Sequence, residues 1–88
     1  MFATYTNQFK KDLELARRHR KDIEKLKFVI NELLEERQLP QKYRDHRLTG
    51  KYINCRECHI EPDWLLVYSP EKEGIVFERL GSHADLFK

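Results

Sequence analysis

A chain of 88 residues suffices for one domain with a modest core, and residues 1–88 read as a single unit without internal repeats. Its composition, 40% hydrophobic and 36% charged with a net charge of +2, argues against a disordered tail and a coiled coil. No segment approaches the length of a membrane span, and the N-terminal stretch MFATYTNQFKKD lacks a basic region followed by an apolar run. A cytoplasmic location away from membranes is therefore expected, and in that reducing compartment Cys55 and Cys58 are expected as free thiols.

MFATY is aromatic and β-compatible and predicts a first strand, after which Thr6 or Asn7 is placed to cap a helix. Phe9, Leu13 and Ala16 recur at helical spacing, and after RRHRKD the period resumes at Ile23, Leu26, Phe28, Val29, Ile30, Leu33 and Leu34. Asp22 stands where a second helix would be capped, and Pro40 limits its far end. Two antiparallel helices with a turn at RRHRK follow. Beyond Pro40 the pattern changes: YINCRECHI and GIVFERLG alternate, DWLLVYS reads as a mostly buried strand, and EPD and SPEKEG supply turns before the tail SHADLFK. The expected fold is α+β, an N-terminal strand and an antiparallel two-helix hairpin packed on a small, mainly antiparallel sheet.

Charge is uneven. Residues 1–44 hold 11 Lys/Arg against 7 Asp/Glu, net +4, while residues 45–88 hold 6 against 8, net −2. Arg17, Arg18, Arg20, Lys21, Lys25 and Lys27 crowd the hairpin, where they suit RNA phosphates or an acidic partner as well as a solvated helix face.

The stretch CRECH, Cys55 to His59, matches the Cys-x-x-Cys-His of covalent haem attachment, and Cys-x-x-Cys alone can hold zinc or exchange thiols. Haem c is attached outside the cytosol and commonly takes a second axial ligand such as Met or His, yet Met1 is the sole methionine. On a strand, Cys55, Glu57 and His59 share one face while Cys58 points to the other beside Arg56 and Ile60. Two thiols so placed do not converge on a metal; zinc would need them on a turn, with help from His46, His59 or His83. Cys58 as a core residue and Cys55 as a free thiol is the simpler reading.

His46, His59 and His83 lie in the strand half, and Asp63 follows His59 by four positions. Histidine titrates nearest neutrality, so a group of them suits proton transfer. Cleaving RNA through its own 2′-hydroxyl takes a base, an acid and cations for the phosphorane, which His, Asp and Arg supply without a metal. Spacing alone does not separate such a site from ordinary strand histidines.

YRDHRLTG, then ECHIEPDWLLVY, then FERLGSHADLF, with YTNQFKKDLELARR ahead of them, resemble the YafQ branch of the RelE/ParE superfamily over nearly the whole chain. The resemblance implies the toxin of a type II toxin–antitoxin pair. It implies an mRNA interferase, a cofactor-free endoribonuclease that cuts mRNA in the ribosomal A site of the 30S subunit and is held inactive by a cognate antitoxin. The family's active-site histidines match His46, His59 and His83, its acidic residue Asp63 and its C-terminal aromatic Phe87. His46 is expected as the base on the 2′-hydroxyl and His83 as the acid on the 5′-oxygen, with His59 and Asp63 orienting the site or exchanging roles with them. Trp64 matches the motif's tryptophan, although burial is its simpler role. Arg79 is expected near the phosphate, with an ion pair to Glu78 or another carboxylate as the alternative. Arg56, Lys51, Arg17, Arg18 and Arg20 complete the expected RNA contacts. The competing reading is a ParE-like relative that acts on DNA gyrase without this histidine set. The thiols of CRECH are then incidental neighbours of His59, and an exposed Cys55 would make activity sensitive to oxidation.

Overall fold

The computed structural model describes residues 1–87, so Lys88 at the end of the predicted tail lies outside it. The chain runs β1 (Phe2–Tyr5), α1 (Asn7–Arg18), α2 (Ile23–Leu34), β2 (His46–Arg47), β3 (Arg56–Glu61), β4 (Trp64–Pro70), β5 (Gly74–Gly81) and α3 (His83–Leu86). Single 3-10 turns occupy Gln41–Tyr43 and Gly50–Tyr52. The sheet order is β1-β5-β4-β3-β2, an antiparallel meander from β2 to β5 with β1 added parallel to β5.

The helix ends follow the expected chemistry. Thr6 Oγ1 accepts the Phe9 N–H at 2.9 Å, and Asp22 Oδ1 accepts those of Glu24 and Lys25 at 3.1 and 3.4 Å, caps worth about 1 kcal/mol each. Phe9 and Ala16 of α1 and Leu26, Val29 and Leu33 of α2 are buried against one face of the sheet, where Cys58, Ile60, Trp64, Leu66, Tyr68 and Phe77 meet them. Asp12 fastens α1 to β5, accepting from the Arg79 guanidinium and, at 2.9 Å, from the Leu80 N–H. A Cβ on Gly74 would lie 2.5 Å from the Phe2 carbonyl oxygen, so the close approach of β1 requires glycine there.

The opposite face carries a second, smaller cluster. Leu65, Val67 and Leu86 are buried there, with Leu48, Tyr52 and Cys55 packed around them. This face also carries the histidines.

Two elements depart from expectation. YINCRECHI becomes a strand only from Arg56, because Gly50 adopts φ +68° and the chain folds back, with Cys55 N–H bonding to the Tyr52 carbonyl at 2.8 Å. The tail is not a simple extension: Ser82 and Asp85 form a capping box, and His83–Leu86 make a single helical turn. Among the described residues no helix is long and apolar enough to cross a membrane.

Candidate active site

β3 and the elements flanking it gather three imidazoles. His46 enters from β2, paired with Glu57 of β3; His59 lies two positions further along β3; His83 opens α3. The rings stand in a row, with centroids 6.2 Å apart for His46 and His59 and 5.7 Å for His59 and His83. His59 is therefore the central ring. The strand bulges between His59 and Glu61, and the turn that follows brings Pro62 and Asp63 alongside.

Each ring is held by Nδ1. His46 Nδ1 lies 2.6 Å from the Arg44 carbonyl oxygen and His59 Nδ1 lies 3.2 Å from that of Pro62. A carbonyl only accepts, so both nitrogens carry a hydrogen. His83 Nδ1 lies 2.9 Å from Asp63 Oδ1, and the same oxygen accepts the His83 backbone N–H at 3.0 Å. These two bonds, backbone first and ring second, hold the Asp63 carboxyl below its usual range. Asp63 thus holds the first N–H of α3 and orients its histidine at once.

The residue that sequence reasoning did not select is Glu57. It is 4% exposed, and its Oε2 stands 3.2 Å from His46 Nε2 and 3.5 Å from His59 Nε2. With both Nδ1 atoms protonated, two neutral rings would aim lone pairs at a carboxylate oxygen. Glu57 thus stands close enough to both rings for a proton to pass among the three. Its other oxygen, Oε1, is buried and has no hydrogen-bond partner among the described residues. The signal for Glu57 was present, since strand alternation places it on the face of His59.

Phe87 closes the far end. Its ring lies 6.2 Å from that of His83 and meets Tyr52 edge-on at 5.7 Å, with Lys51 Nζ 5.6 Å above the Tyr52 ring. His46, His59, Asp63, His83 and Phe87 are thus brought together, with Lys51 at their border. Beside Asp63 a cleft of about 550 Å³ opens toward the helical hairpin, lined there by His19, Lys21 and Lys25. Lys21 and Lys25 both pair with Glu61, at 3.2 and 3.1 Å.

The other cations are placed differently. Arg56 lies on the helix-facing side of the sheet with its Nε 3.1 Å from Asp45 Oδ1, so it does not join the histidines. Arg79 is engaged by Asp12, at 2.8 Å from Nε and 3.3 Å from Nη2, rather than by Glu78. Arg17 and Arg18 end α1 and Arg20 sits in the turn beyond it, in the helical layer. Trp64 is 2% exposed within the core.

The thiols diverge as the strand register requires. Cys58 is fully buried on the helix side, and Cys55 packs half-buried in the cluster under α3. Burial, and then the charge of Glu78, push the Cys55 thiol up, away from the reactive thiolate. The expected exposed, oxidisable cysteine is not what the fold presents.

The chain matches, over residues 1–88, the family model described as bacterial toxin of type II toxin-antitoxin system, YafQ. It belongs to the YafQ toxin family. The mRNA interferase toxin YafQ of Escherichia coli K12 is 42% identical over 84 residues, spanning 94% of this chain and 91% of that one. The toxin in the crystal structure of the E. coli DinJ–YafQ complex superposes with a TM-score of 0.93 at 40% identity, covering 99% of this chain and 98% of that one. A metal-bound toxin from Helicobacter pylori superposes equally well, with a TM-score of 0.93 at 38% identity and 99% of each chain covered.

Three donors of the site also lie close enough together to hold one metal ion. A carboxylate oxygen of Glu57 and one nitrogen each of His59 and His83 lie within 4.8 Å of one another, and each ring is already fixed through Nδ1.

Proposed function

We propose that this chain is an mRNA interferase, an endoribonuclease toxin that cuts mRNA by acid–base attack of its own 2′-hydroxyl and is neutralised by a cognate antitoxin. The observation that carries this reading is the row of three imidazoles, each fixed through Nδ1 and backed by Glu57 or Asp63. The His46–Glu57 pair takes the 2′-hydroxyl proton as the oxygen attacks phosphorus. His83, its imidazolium stabilised by Asp63, gives a proton to the 5′-oxygen as that bond breaks. His59, between them, faces the charge that develops on the phosphoryl oxygens. The products are a 2′,3′-cyclic phosphate and a 5′-hydroxyl. Phe87 offers a ring for stacking, and Lys51 is the cation beside it.

The site is open, with His46 and His83 side chains 49% and 55% exposed. A face this shallow suits an mRNA whose path is set by another surface, which favours cleavage in the ribosomal A site. The hairpin cations Arg17, Arg18 and Arg20 are free to meet ribosomal RNA or the acidic face of an antitoxin. Incubating a defined mRNA with the protein, with and without programmed ribosomes, tests both claims. Cuts that need the ribosome and leave cyclic phosphate ends are expected; growth arrest without any cut would redirect attention to DNA gyrase.

The metal-bound relative favours a second, regulatory reading of the same atoms. An ion held by Glu57, His59 and His83 would occupy the carboxylate of the His46–Glu57 pair and exclude the proton that His83 must give, and so would inhibit. Copper(II) at about 100 times its Kd should stabilise the fold by about 2.7 kcal/mol and suppress cleavage until chelated. Glu57→Ala should abolish the rise in Tm. An unchanged Tm in the wild type with copper would remove this reading.

A further inference from the structure

His46 differs from the other two histidines in how it is anchored. It sits on a two-residue strand at the sheet edge, and the residue before it, Asp45, turns its side chain to the opposite face. There Asp45 Oδ1 accepts from the Tyr68 hydroxyl at 2.7 Å and from Arg56 Nε at 3.1 Å. Tyr68 and Arg56 are partners across the β3–β4 ladder, and Tyr68 is 3% exposed. The anchor is thus built from the rigid centre of the sheet.

Arg44, just before Asp45, adopts φ +49°, ψ +42°, a left-handed conformation that costs a residue with a Cβ about 1 kcal/mol or more. That conformation turns the Arg44 carbonyl back onto His46 Nδ1, 2.6 Å away. Strain of this kind persists only where neighbouring contacts enforce it. Two contacts flank Arg44: its own N–H closes the 3-10 turn onto the Gln41 carbonyl at 3.0 Å, and the next side chain, Asp45, is fixed to the sheet by Tyr68 and Arg56.

We propose that Asp45, clamped by Tyr68 and Arg56, is a positioning residue for His46. It acts through the backbone from the far side of the sheet: it holds Arg44 in its left-handed turn, so that the Arg44 carbonyl fixes the hydrogen of His46 on Nδ1 and leaves Nε2 toward Glu57. Arg56 then serves the reaction without meeting the phosphate. The catalytic consequence rests on the ribonuclease reading above, whereas the effect on the His46 ring does not.

The test compares Asp45→Ala, Tyr68→Phe and Asp45→Asn, the last of which keeps an oxygen to accept both bonds. Imidazole nitrogen NMR should show His46 losing its single Nδ1–H form in Asp45→Ala and Tyr68→Phe, with His59 and His83 unchanged and Asp45→Asn close to the wild type. On programmed ribosomes, kcat should fall on the order of 10²-fold in Asp45→Ala at little change in KM, as expected for a misplaced reacting group. Tyr68→Phe retains the ring and decides the matter if Asp45→Ala fails to fold. Unaltered His46 signals in a folded Tyr68→Phe or Asp45→Ala would overturn the proposal, even if the wild type cuts RNA. Absent cleavage by the wild type with the NMR changes in place would instead sink the ribonuclease reading and leave the anchor standing.

Discussion

His83→Ala is expected to lower the single-turnover rate of mRNA cleavage by roughly 10²–10⁴-fold, the range that removal of a positioned acid or base commands. The loss should appear without unfolding. The His83 side chain is 55% exposed, and its backbone N–H, which alanine retains, still donates to Asp63 Oδ1. Asp63→Asn should do less harm than His83→Ala, because the ring then loses its charge partner but remains present. Acid should act on the same pair. A carboxyl lowered in the folded state contributes stability above its unfolded value, about 3.9 for Asp, and loses it as pH falls through the folded value. The attachment of α3 should accordingly loosen only in acid, below the ordinary carboxylate range, and amide exchange at His83 reports it. A His83→Ala protein that still cleaves at the wild-type rate would remove this residue from the acid's role.

Trp64→Ala should cost about 3–5 kcal/mol, as large-to-small changes in a packed core do. The indole is among the largest fully buried side chains, and Lys21 Nζ lies 5.2 Å above it. Against a total stability of about 5–15 kcal/mol for a small domain, that loss leaves much of the protein unfolded on warming. Inactivity of Trp64→Ala would thus reflect the fold, despite the neighbouring Asp63. Trp64→Phe separates the two roles, since it keeps an aromatic ring in the core. Thermal melts and cleavage rates should fall together in Trp64→Ala, and Trp64→Phe should stay active. A folded but inactive Trp64→Phe would give the indole a place in the chemistry.

The helical half was legible because period and punctuation agreed: Phe9, Leu26 and Val29 mark the buried stripe, and Thr6 and Asp22 cap where the sequence placed caps. The meander was legible for the same reason. The parallel docking of β1 was not, since a four-residue strand with every position exposed shows no face. Nor was α3, which is too short for a helical period, although Ser82-x-x-Asp85 carried its cap. For the site, the motif located His46, His59, Asp63, His83 and Phe87, while only three dimensions show them converging. Glu57 stayed hidden because a charged residue on an alternating strand reads as solvated, and its burial depends on β2 arriving over it. Arg56 is the converse case. Its charge suggested phosphate, while the alternation that put Glu57 beside His59 had already put Arg56 on the other face.

In the proposed reaction the 2′-hydroxyl of the substrate is the nucleophile and the imidazole row moves its proton. The most direct measurement places a single 2′-deoxynucleotide at the scissile position of an mRNA on programmed ribosomes and follows cleavage by the wild-type protein. Cutting at that position is expected to stop while the matched all-ribose message is cut to a 2′,3′-cyclic phosphate. Cleavage of the deoxy-substituted message at an undiminished rate would contradict this mechanism, because the nucleophile would then have to come from elsewhere.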